Sequence, residues 1–308
     1  MELVCPRDRG ALTREGDELV CAEGHRYPVV DGIPVLLVPE DEPTHGACWV
    51  SLERPEAIAD TDAFVQGAIA ATCGNLYRHL IGNLPAYPIP EIRLPPGDGE
   101  LFLEVGCNWG RWCVAAARRG YRVVGIDPSL DAIRAARRVA DELGVEAEYL
   151  VADARHLPFA GESFDVVFSY SVFQHFTRDA AVTGFEEIGR VLKQGGLSLV
   201  QMANVWGPRS LFNQLRERRF REPRTLFDVR YWSPRELRRE LASAVGPTQL
   251  SVDGFLTLNP QPVDLPLLPR RYRVVVRMSE AYRKASRRLP ALVQAADSVY
   301  AASRRPPL

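Results

Sequence analysis

Three acidic side chains and one glycine-rich turn have the types and spacing to form a ligand site. Glu104, Asp127 and Asp153 each close a short apolar run, and Gly106 and Gly110 follow the first acid. Glycine lets a ligand approach the bare backbone, and a helix that begins after such a turn offers N–H groups at its positive end. The pattern therefore predicts a ligand held where several strands end.

The elements that position these residues alternate between strand and helix. Apolar runs predict strands over 101–105, 122–127, 148–152, 164–170 and 197–202, and apolar stripes predict helices over 111–119, 129–143 and 179–192. Such alternation is typical of an open parallel sheet with helices on both faces, which binds ligands at the carboxyl ends of its strands.

The turn does not fit a dinucleotide fingerprint. That pattern is Gly-x-Gly-x-x-Gly, but the positions counted from Gly106 hold Asn108 and Arg111. The segments LFLEVGCNWGRW, VADARHLPF, FDVVFSYSVFQHF and RVLKQGGLSLV instead resemble, in order, motifs of class I S-adenosylmethionine (SAM)-dependent methyltransferases of the type 11-like kind. The resemblance covers about 100–203. It implies an α/β, Rossmann-like fold with a seven-stranded sheet.

The resemblance also implies a set of cofactor contacts. Asp127 would accept the ribose hydroxyls of SAM, while Asp153 and Ala154 would contact the adenine. The full expected set is Glu104, Gly106, Cys107, Asn108, Gly110, Asp127, Pro128, Asp153, Ala154, Ser169 and the lid residue Tyr77. The side chains of Cys107 and Trp109 are expected to pack within the loop. An acid that merely caps a helix or strand is the alternative for each carboxylate, but three successive strand ends favour a site.

Residues after the fourth strand often face the substrate in this fold. Tyr170, Gln174 and His175 are therefore the candidates for catalysis. His175 is a candidate general base, because the ordinary pKa of histidine lies near 6.5. The alternative is a hydrogen-bonded structural histidine, with methyl transfer accelerated by alignment alone.

The N-terminal stretch carries residues of the metal-binding type. Cys5 and Asp8 form one pair, and Cys21 and His25 form a second. Four such groups can close a tetrahedral zinc site. The stretch resembles zinc-ribbon-like methyltransferase activators and the front module of 23S rRNA guanine methyltransferases, but it has Asp8 where both have cysteine. A metal-free module with a small apolar core is the alternative.

Four regions follow from these patterns. They are a zinc-ribbon-like module over 1–40, a helical cap with a proline-rich linker over 41–97, a SAM-binding core over 98–260 and a helical extension over 261–308 with a possible last strand. The core includes an insertion rich in arginine and aromatic residues at about 204–232. Its arginines indicate either a solvated helix face or a wall that binds anions such as phosphate, carboxylate or RNA.

Composition narrows the class of protein. The chain has 308 residues, 46% of them apolar, and a net charge of −1, so it is no general nucleic-acid binder. No apolar run is long enough for a membrane span, and the N-terminus lacks the pattern of a secretory signal, which makes the cytoplasm the expected compartment. We expect methylation of O, N or C in a small or medium-sized metabolite, such as a polyketide, quinone or isoprenoid. RNA base methylation and a non-catalytic SAM-binding scaffold remain alternatives, and the sequence leaves the oligomeric state open.

Overall fold

Eleven strands form one continuous sheet. The structure, a computed structural model, describes residues 1–39, 61–216, 229–256 and 260–307. The strands are β1 Leu12–Glu15, β2 Glu18–Cys21, β3 Arg26–Val30, β4 Ile33–Leu36, β5 Leu101–Val105, β6 Arg122–Asp127, β7 Ala147–Ala152, β8 Phe164–Tyr170, β9 Leu192–Ala203, β10 Thr248–Gly254 and β11 Ser298–Arg304. Their order in the sheet is β1-β2-β3-β4-β7-β6-β5-β8-β9-β11-β10.

Seven α-helices flank this sheet in the described residues. They are α1 Ala63–Cys73, α2 Arg111–Ala117, α3 Leu130–Glu142, α4 Arg178–Val191, α5 Pro208–Arg216, α6 Pro234–Ala244 and α7 Arg270–Ser286. Short 3₁₀ helices span Asn75–Leu80, Phe173–His175, Pro262–Leu267 and Pro290–Ala295. No helix in these described segments is long and apolar enough to cross a membrane.

The predicted α/β fold class is confirmed, and the predicted number of strands is corrected. The part β7-β6-β5-β8-β9-β11-β10 contains seven strands, in which β11 runs antiparallel between β9 and β10. The sheet continues past β7 because β4 pairs with it in parallel, through Val35 with Val151 and Leu36 with Ala152. The fifth predicted strand is also longer than expected, since β9 already begins at Leu192.

Local signals in the sequence explain where the helices begin. Ser129 caps α3, and its side chain accepts a hydrogen bond from the backbone N–H of Ala132. Ser233 and Glu236 form a capping box at the start of α6. Each cap satisfies backbone N–H groups that have no partner inside the helix.

The N-terminal module shares its core with the sheet. Cys5, Tyr27 and Leu36 belong to the same buried cluster as Leu103 and Val124 of the central strands. The expected alternative of a small core belonging to the module alone is therefore not what the fold contains.

A cap covers the start of α2. It consists of α1 and the 3₁₀ helix 75–80, and it buries Ile69, Cys73 and Tyr77 against Trp109. The indole N–H of Trp109 donates to the hydroxyl of Thr72 at 3.0 Å. The turn between β5 and α2 is thus tied directly to the cap.

Candidate functional site

The turn after β5 can be built only with glycine at its first position. Gly106 has a φ of +76°, and a Cβ there would lie 2.3 Å from Cγ2 of Val172. Gly110 is in the left-handed conformation, where a Cβ would meet the Tyr149 hydroxyl at 2.8 Å. The backbone N–H groups of Gly106 and Cys107 both donate to the carbonyl of Ile126. The turn is therefore held close to the end of β6 with no side chain at its closest approach.

Asp127 connects the end of β6 to this turn. One carboxylate oxygen accepts the backbone N–H of Asn108 at 3.0 Å, and the other accepts that of Ser129 at 3.0 Å. Asn108 itself has a φ of +47°. Pro128, between the two carboxylate contacts, is half-buried. The acid predicted to bind ribose therefore also holds the glycine turn in shape.

Asp153 at the end of β7 has a partner that the sequence did not suggest. Arg155 donates to both of its carboxylate oxygens, at 2.9 and 2.8 Å, and the backbone N–H of Arg155 adds a third bond at 2.8 Å. Ala154 is buried in the main core. Because Arg155 neutralises the acid, adenine recognition at this position would involve the pair rather than Asp153 alone.

Glu104 is buried beneath the turn. Burial raises the pKa of its carboxyl group to about 8, although hydrogen bonding from Cys113 lowers the pKa in part. Among the described residues, its Oε2 has no hydrogen-bond partner. Burial also raises the pKa of the Cys107 thiol to about 11, so this cysteine is a neutral packing group, as its loop position suggested. The cofactor contact predicted for Glu104 stays a prediction.

Arg111 is a site residue that sequence reasoning missed. It is 5% exposed at the first position of α2, and its guanidinium lies near the Cys73 thiol, the Tyr77 hydroxyl and the Asp264 carboxyl group. Its Nε and Nη2 are buried without a partner. Leaving charged donors buried without acceptors is costly, so these two nitrogens fit a ligand that brings an anion. The signal was an arginine directly after the turn glycine, inside an otherwise apolar stretch.

Tyr77 and Asp264 lie beside this guanidinium. The Tyr77 hydroxyl is buried and has no hydrogen-bond partner in the described part of the chain. Burial, and then the nearby charge of Asp264, raise the pKa of Tyr77 well above its usual value, while Arg111 lowers it. Asp264 is also buried. The guanidinium of Arg111, the carboxyl group of Asp264 and the hydroxyl of Tyr77 thus lie close together under the cap. Tyr77, the predicted lid residue, is therefore part of this buried polar group.

Side chains near the carboxyl ends of β8 and β9 bond to one buried acid near the carboxyl end of β10. Asp253 accepts hydrogen bonds from the hydroxyl of Tyr170 at 2.8 Å, the amide of Gln201 at 3.0 Å and the hydroxyl of Ser298 at 2.9 Å. Arg93 donates to its other oxygen at 2.9 Å. Burial raises the pKa of Tyr170 well above its usual value, and the charge of Asp253 raises it further. Tyr170 therefore stays protonated and can donate or position, but it does not accept a proton.

The remaining residues near β8 have mainly structural contacts. Ser169 is buried, and its hydroxyl donates to the carbonyl of Val105 at 3.1 Å. The side-chain oxygen of Gln174 accepts the backbone N–H of Ala203 at 3.2 Å. His175 is half-buried, with Nε2 3.4 Å from Nε2 of Gln174, and its carbonyl accepts a bond from Arg230. The cofactor role of Ser169 and the catalytic roles of Gln174 and His175 stay predictions.

The four N-terminal metal-type residues converge. Their ligand atoms, from Cys5, Asp8, Cys21 and His25, all lie within 4.8 Å of one another. His25 Nδ1 is 2.9 Å from Asp8 Oδ2, and 3.3 and 3.5 Å from the sulfurs of Cys21 and Cys5. Backbone hydrogen bonding from Gly10, together with the thiol and imidazole groups, lowers the pKa of Asp8 to about 2. The cluster therefore keeps one carboxylate ionised beside three nitrogen and sulfur ligands.

The predicted insertion lies partly outside the described residues, which omit 217–228. In its described part, Trp232 is buried in the core, and the guanidinium of Arg178 lies 4.1 Å from its ring centre. Trp206 and Phe212 are exposed. The described aromatic residues are thus divided between core and surface.

Comparisons with known proteins bear on the central region. A profile for the methyltransferase domain matches residues 102–196. The ubiquinone biosynthesis O-methyltransferase of Chelativorans sp. (strain BNC1) is 37% identical over 110 residues, and that of Agrobacterium fabrum is 34% identical over 129 residues. The alignments cover 35% and 37% of this chain, and 42% and 52% of those relatives. The chain thus spans about half the length of the curated relatives that it matches.

A solved structure extends the likeness of fold. The crystal structure of a SAM-dependent methyltransferase from Methanosarcina mazei aligns with a TM-score of 0.51 at 19% identity, covering 73% of this chain and all of that one. Together with the strand order of the sheet, the matches identify the central region. Residues 102–196 belong to the methyltransferase domain family, in a chain with the class I methyltransferase fold.

Proposed function

We propose that this protein transfers a methyl group from SAM to an O, N or C atom of a small or medium-sized metabolite. The observation that carries the proposal is the meeting of the glycine turn, Asp127 and Asp153 along one edge of the sheet. Strands β7, β6 and β5 are parallel neighbours, so their carboxyl ends lie side by side. This edge is where open α/β sheets bind ligands.

The residues present fit SAM in shape and charge. A Cβ at Gly106 would fill the cradle of the turn, and buried Arg111 has donors that a carboxylate could satisfy. When bound, SAM supplies a methyl group activated by its sulfonium. In our proposal, Asp127 holds the ribose, the pair of Asp153 and Arg155 borders the adenine, and Arg111 with Tyr77 takes the carboxylate of the methionine portion.

The acceptor pocket would lie next to this edge, above β8 and β9. Tyr170 and Gln201 line that side, and both are fixed by Asp253. We propose that they orient the acceptor and that His175 removes a proton where the nucleophile needs it. A quinone-, polyketide- or isoprenoid-like acceptor suits the relatives, which are named for ubiquinone biosynthesis.

Two measurements test the proposal. Isothermal titration with SAM and S-adenosylhomocysteine should show binding of both, whereas no binding of either would overturn it. Mass spectrometry of the freshly purified protein should identify a co-purified metabolite as a candidate acceptor. Methylation of that metabolite would then distinguish the enzyme from a non-catalytic SAM-binding scaffold.

We also propose that the N-terminal cluster holds a structural zinc ion. Zinc bonds of about 2.0–2.3 Å in a tetrahedron place neighbouring ligand atoms roughly 3.3–3.8 Å apart. The His25 nitrogen lies 3.3 and 3.5 Å from the two sulfurs, within this range, and 2.9 Å from the Asp8 oxygen, slightly below it, so a small expansion would admit the ion. The hydroxyl of Tyr27 lies 3.1 Å from the Cys5 sulfur and would orient that ligand without contacting the ion itself.

RNA base methylation is the second candidate function. It draws on the convergence of the N-terminal metal-type residues, because the sequence of that module resembles the front of rRNA guanine methyltransferases. Co-purifying nucleic acid, seen as a raised ratio of absorbance at 260 to 280 nm, would favour this candidate over a metabolite.

A further inference from the structure

Helix α7 has little contact with the rest of the protein for its length. It spans Arg270–Ser286, and only Val276 and Ser279 are buried along it. The Ser279 hydroxyl accepts the backbone N–H of Phe255 at 3.0 Å, which fixes the inner face. A helix of 17 residues is about 25 Å long, so most of its surface faces away from the core.

The outer face carries an apolar stripe. Val274, Met278 and Tyr282 are 54%, 43% and 48% exposed, and Leu289 just beyond the helix is 59% exposed. The first three recur every four residues, which places them on one side of a helix. Val276 lies on the opposite side, and the ring of Tyr282 packs at one edge of the stripe against buried Phe255, with ring centroids 5.6 Å apart. Core packing therefore accounts for part of Tyr282 but not for Val274 and Met278.

Basic side chains flank this stripe. Arg270, Arg277 and Lys284 recur every seven residues and are exposed. Neither arginine forms an ion pair among the described residues, whereas Lys284 lies 3.6 Å from Glu280. Glu280 is the only acid between 270 and 288, and it also pairs with Arg283. Eight basic residues lie in that interval, in a chain whose net charge is −1.

We propose that the outer face of α7 docks on an anionic lipid surface. An amphipathic helix with an apolar stripe beside a cationic flank binds in the plane of a membrane interface, with the stripe among the acyl chains and the cations at the headgroups. An RNA backbone would complement the arginines but would gain little from exposed valine and methionine. This inference goes beyond the proposed function and does not depend on it.

The position of α7 gives the docking a consequence. The 3₁₀ helix 262–267, which comes shortly before α7, carries buried Asp264. At the end of this 3₁₀ helix, the carbonyl oxygen of Leu267 lies 3.0 Å from Nε2 of His79 in the cap. A bound surface would therefore lie close to the elements that cover the glycine turn. An acceptor that partitions into the lipid would reach the cap without crossing bulk water.

Co-sedimentation of the full chain with vesicles tests the proposal. Vesicles of phosphatidylcholine with about one third phosphatidylglycerol should retain the protein at low salt, and vesicles of phosphatidylcholine alone should not. The double variant Arg270→Gln, Arg277→Gln should lower partitioning about 25-fold, at about fivefold for each cation. The double variant Val274→Ser, Met278→Ser should also lower it.

Matched controls test whether vesicle binding depends on this face of α7 or on exposed charged and apolar side chains in general. Arg235→Gln with Arg238→Gln removes two exposed arginines from α6, and Phe212→Ser with Leu215→Ser removes two exposed apolar groups from α5. Both controls should bind vesicles like the wild type, and circular dichroism should show that all four variants are folded. Equal retention by neutral vesicles, no retention by anionic ones, or equal losses in the controls would each overturn the proposal.

Discussion

The carboxylate of Asp127 accepts the backbone N–H of Asn108 at 3.0 Å. This bond joins the end of β6 to the glycine turn after β5. A residue predicted to bind the ribose of SAM therefore also shapes the turn that approaches the cofactor. Its loss should affect both binding and stability.

Asp127→Ala should lower affinity for S-adenosylhomocysteine at least about tenfold, since each hydrogen bond to a charged group contributes about 1.5–3 kcal/mol. It should also lower the free energy of unfolding by about 1–3 kcal/mol, because the N–H groups of Asn108 and Ser129 lose their acceptor. Calorimetry and denaturant unfolding measure the two effects. Asp131→Ala, at an exposed acid of α3, is the control. Unchanged affinity would show that the ribose lies elsewhere.

Arg111→Met should weaken binding of ligands that carry the amino-acid portion. The substitution removes the buried guanidinium, whose Nε and Nη2 have no hydrogen-bond partner in the described chain, and it also removes the positive charge beside buried Asp264, so the free energy of unfolding of the ligand-free protein should fall. Affinity for S-adenosylhomocysteine should fall about 10- to 100-fold. Affinity for 5′-methylthioadenosine, which lacks the amino-acid portion, should hardly change. Arg118→Met at the exposed end of α2 is the control, and equal losses for both ligands would contradict the carboxylate role.

Metal analysis of freshly purified protein should find about one zinc per chain. Cys21→Ala should lose the metal and make residues 1–39 sensitive to protease, because structural zinc contributes directly to folding. Asp8→Cys should retain zinc more tightly, since thiolate is the softer ligand. Cys73→Ala, at a buried cysteine outside the cluster, should keep the metal. A wild-type protein without zinc would contradict the assignment.

Glu104→Gln should change how stability depends on pH. The pKa of Glu104 is raised from 4.5 to about 8 in the folded protein by burial. Between these values the unfolded chain releases the proton while the folded protein keeps it, so wild-type stability falls as pH rises and levels off above about 8. The amide has no proton to lose. From pH 5 to 8 the variant should therefore gain on the order of 3–5 kcal/mol relative to the wild type.

Denaturant unfolding across that range measures the difference. Glu148→Gln replaces an exposed glutamate on β7 and should follow the wild type at every pH. A constant offset between Glu104→Gln and the wild type would mean that Glu104 is ionised in the folded protein.

His175→Gln tests catalysis once an acceptor is known. A general base should contribute about 10²–10⁴-fold to kcat, with binding of SAM unchanged. A residue that only shapes the pocket should instead raise KM and leave the pH profile of the rate unaltered. A wild-type rate that does not depend on pH between about 5.5 and 8 would remove the role of base and favour N- or C-methylation.

The sequence by itself determined the central fold. Alternating strand and helix patterns, the glycine turn and caps such as Ser129 are local signals, and the elements from β5 to α4 begin and end close to their predicted bounds. The metal-type set Cys5, Asp8, Cys21 and His25 was also readable from spacing alone. These features depend on residues near one another in the chain, where backbone sterics and hydrogen bonding act directly.

Only the tertiary structure decided how distant segments meet. No local pattern places β4 beside β7, or Arg93, Tyr170 and Ser298 around Asp253. The sequence likewise gave no sign that Arg111 would be buried beside Tyr77 and Asp264, because charged residues are normally exposed. Which side chains are buried and which distant groups pair depend on how the whole chain packs. That packing sets the environment of each side chain, and the environment determines the charge of the side chain and the role it can have.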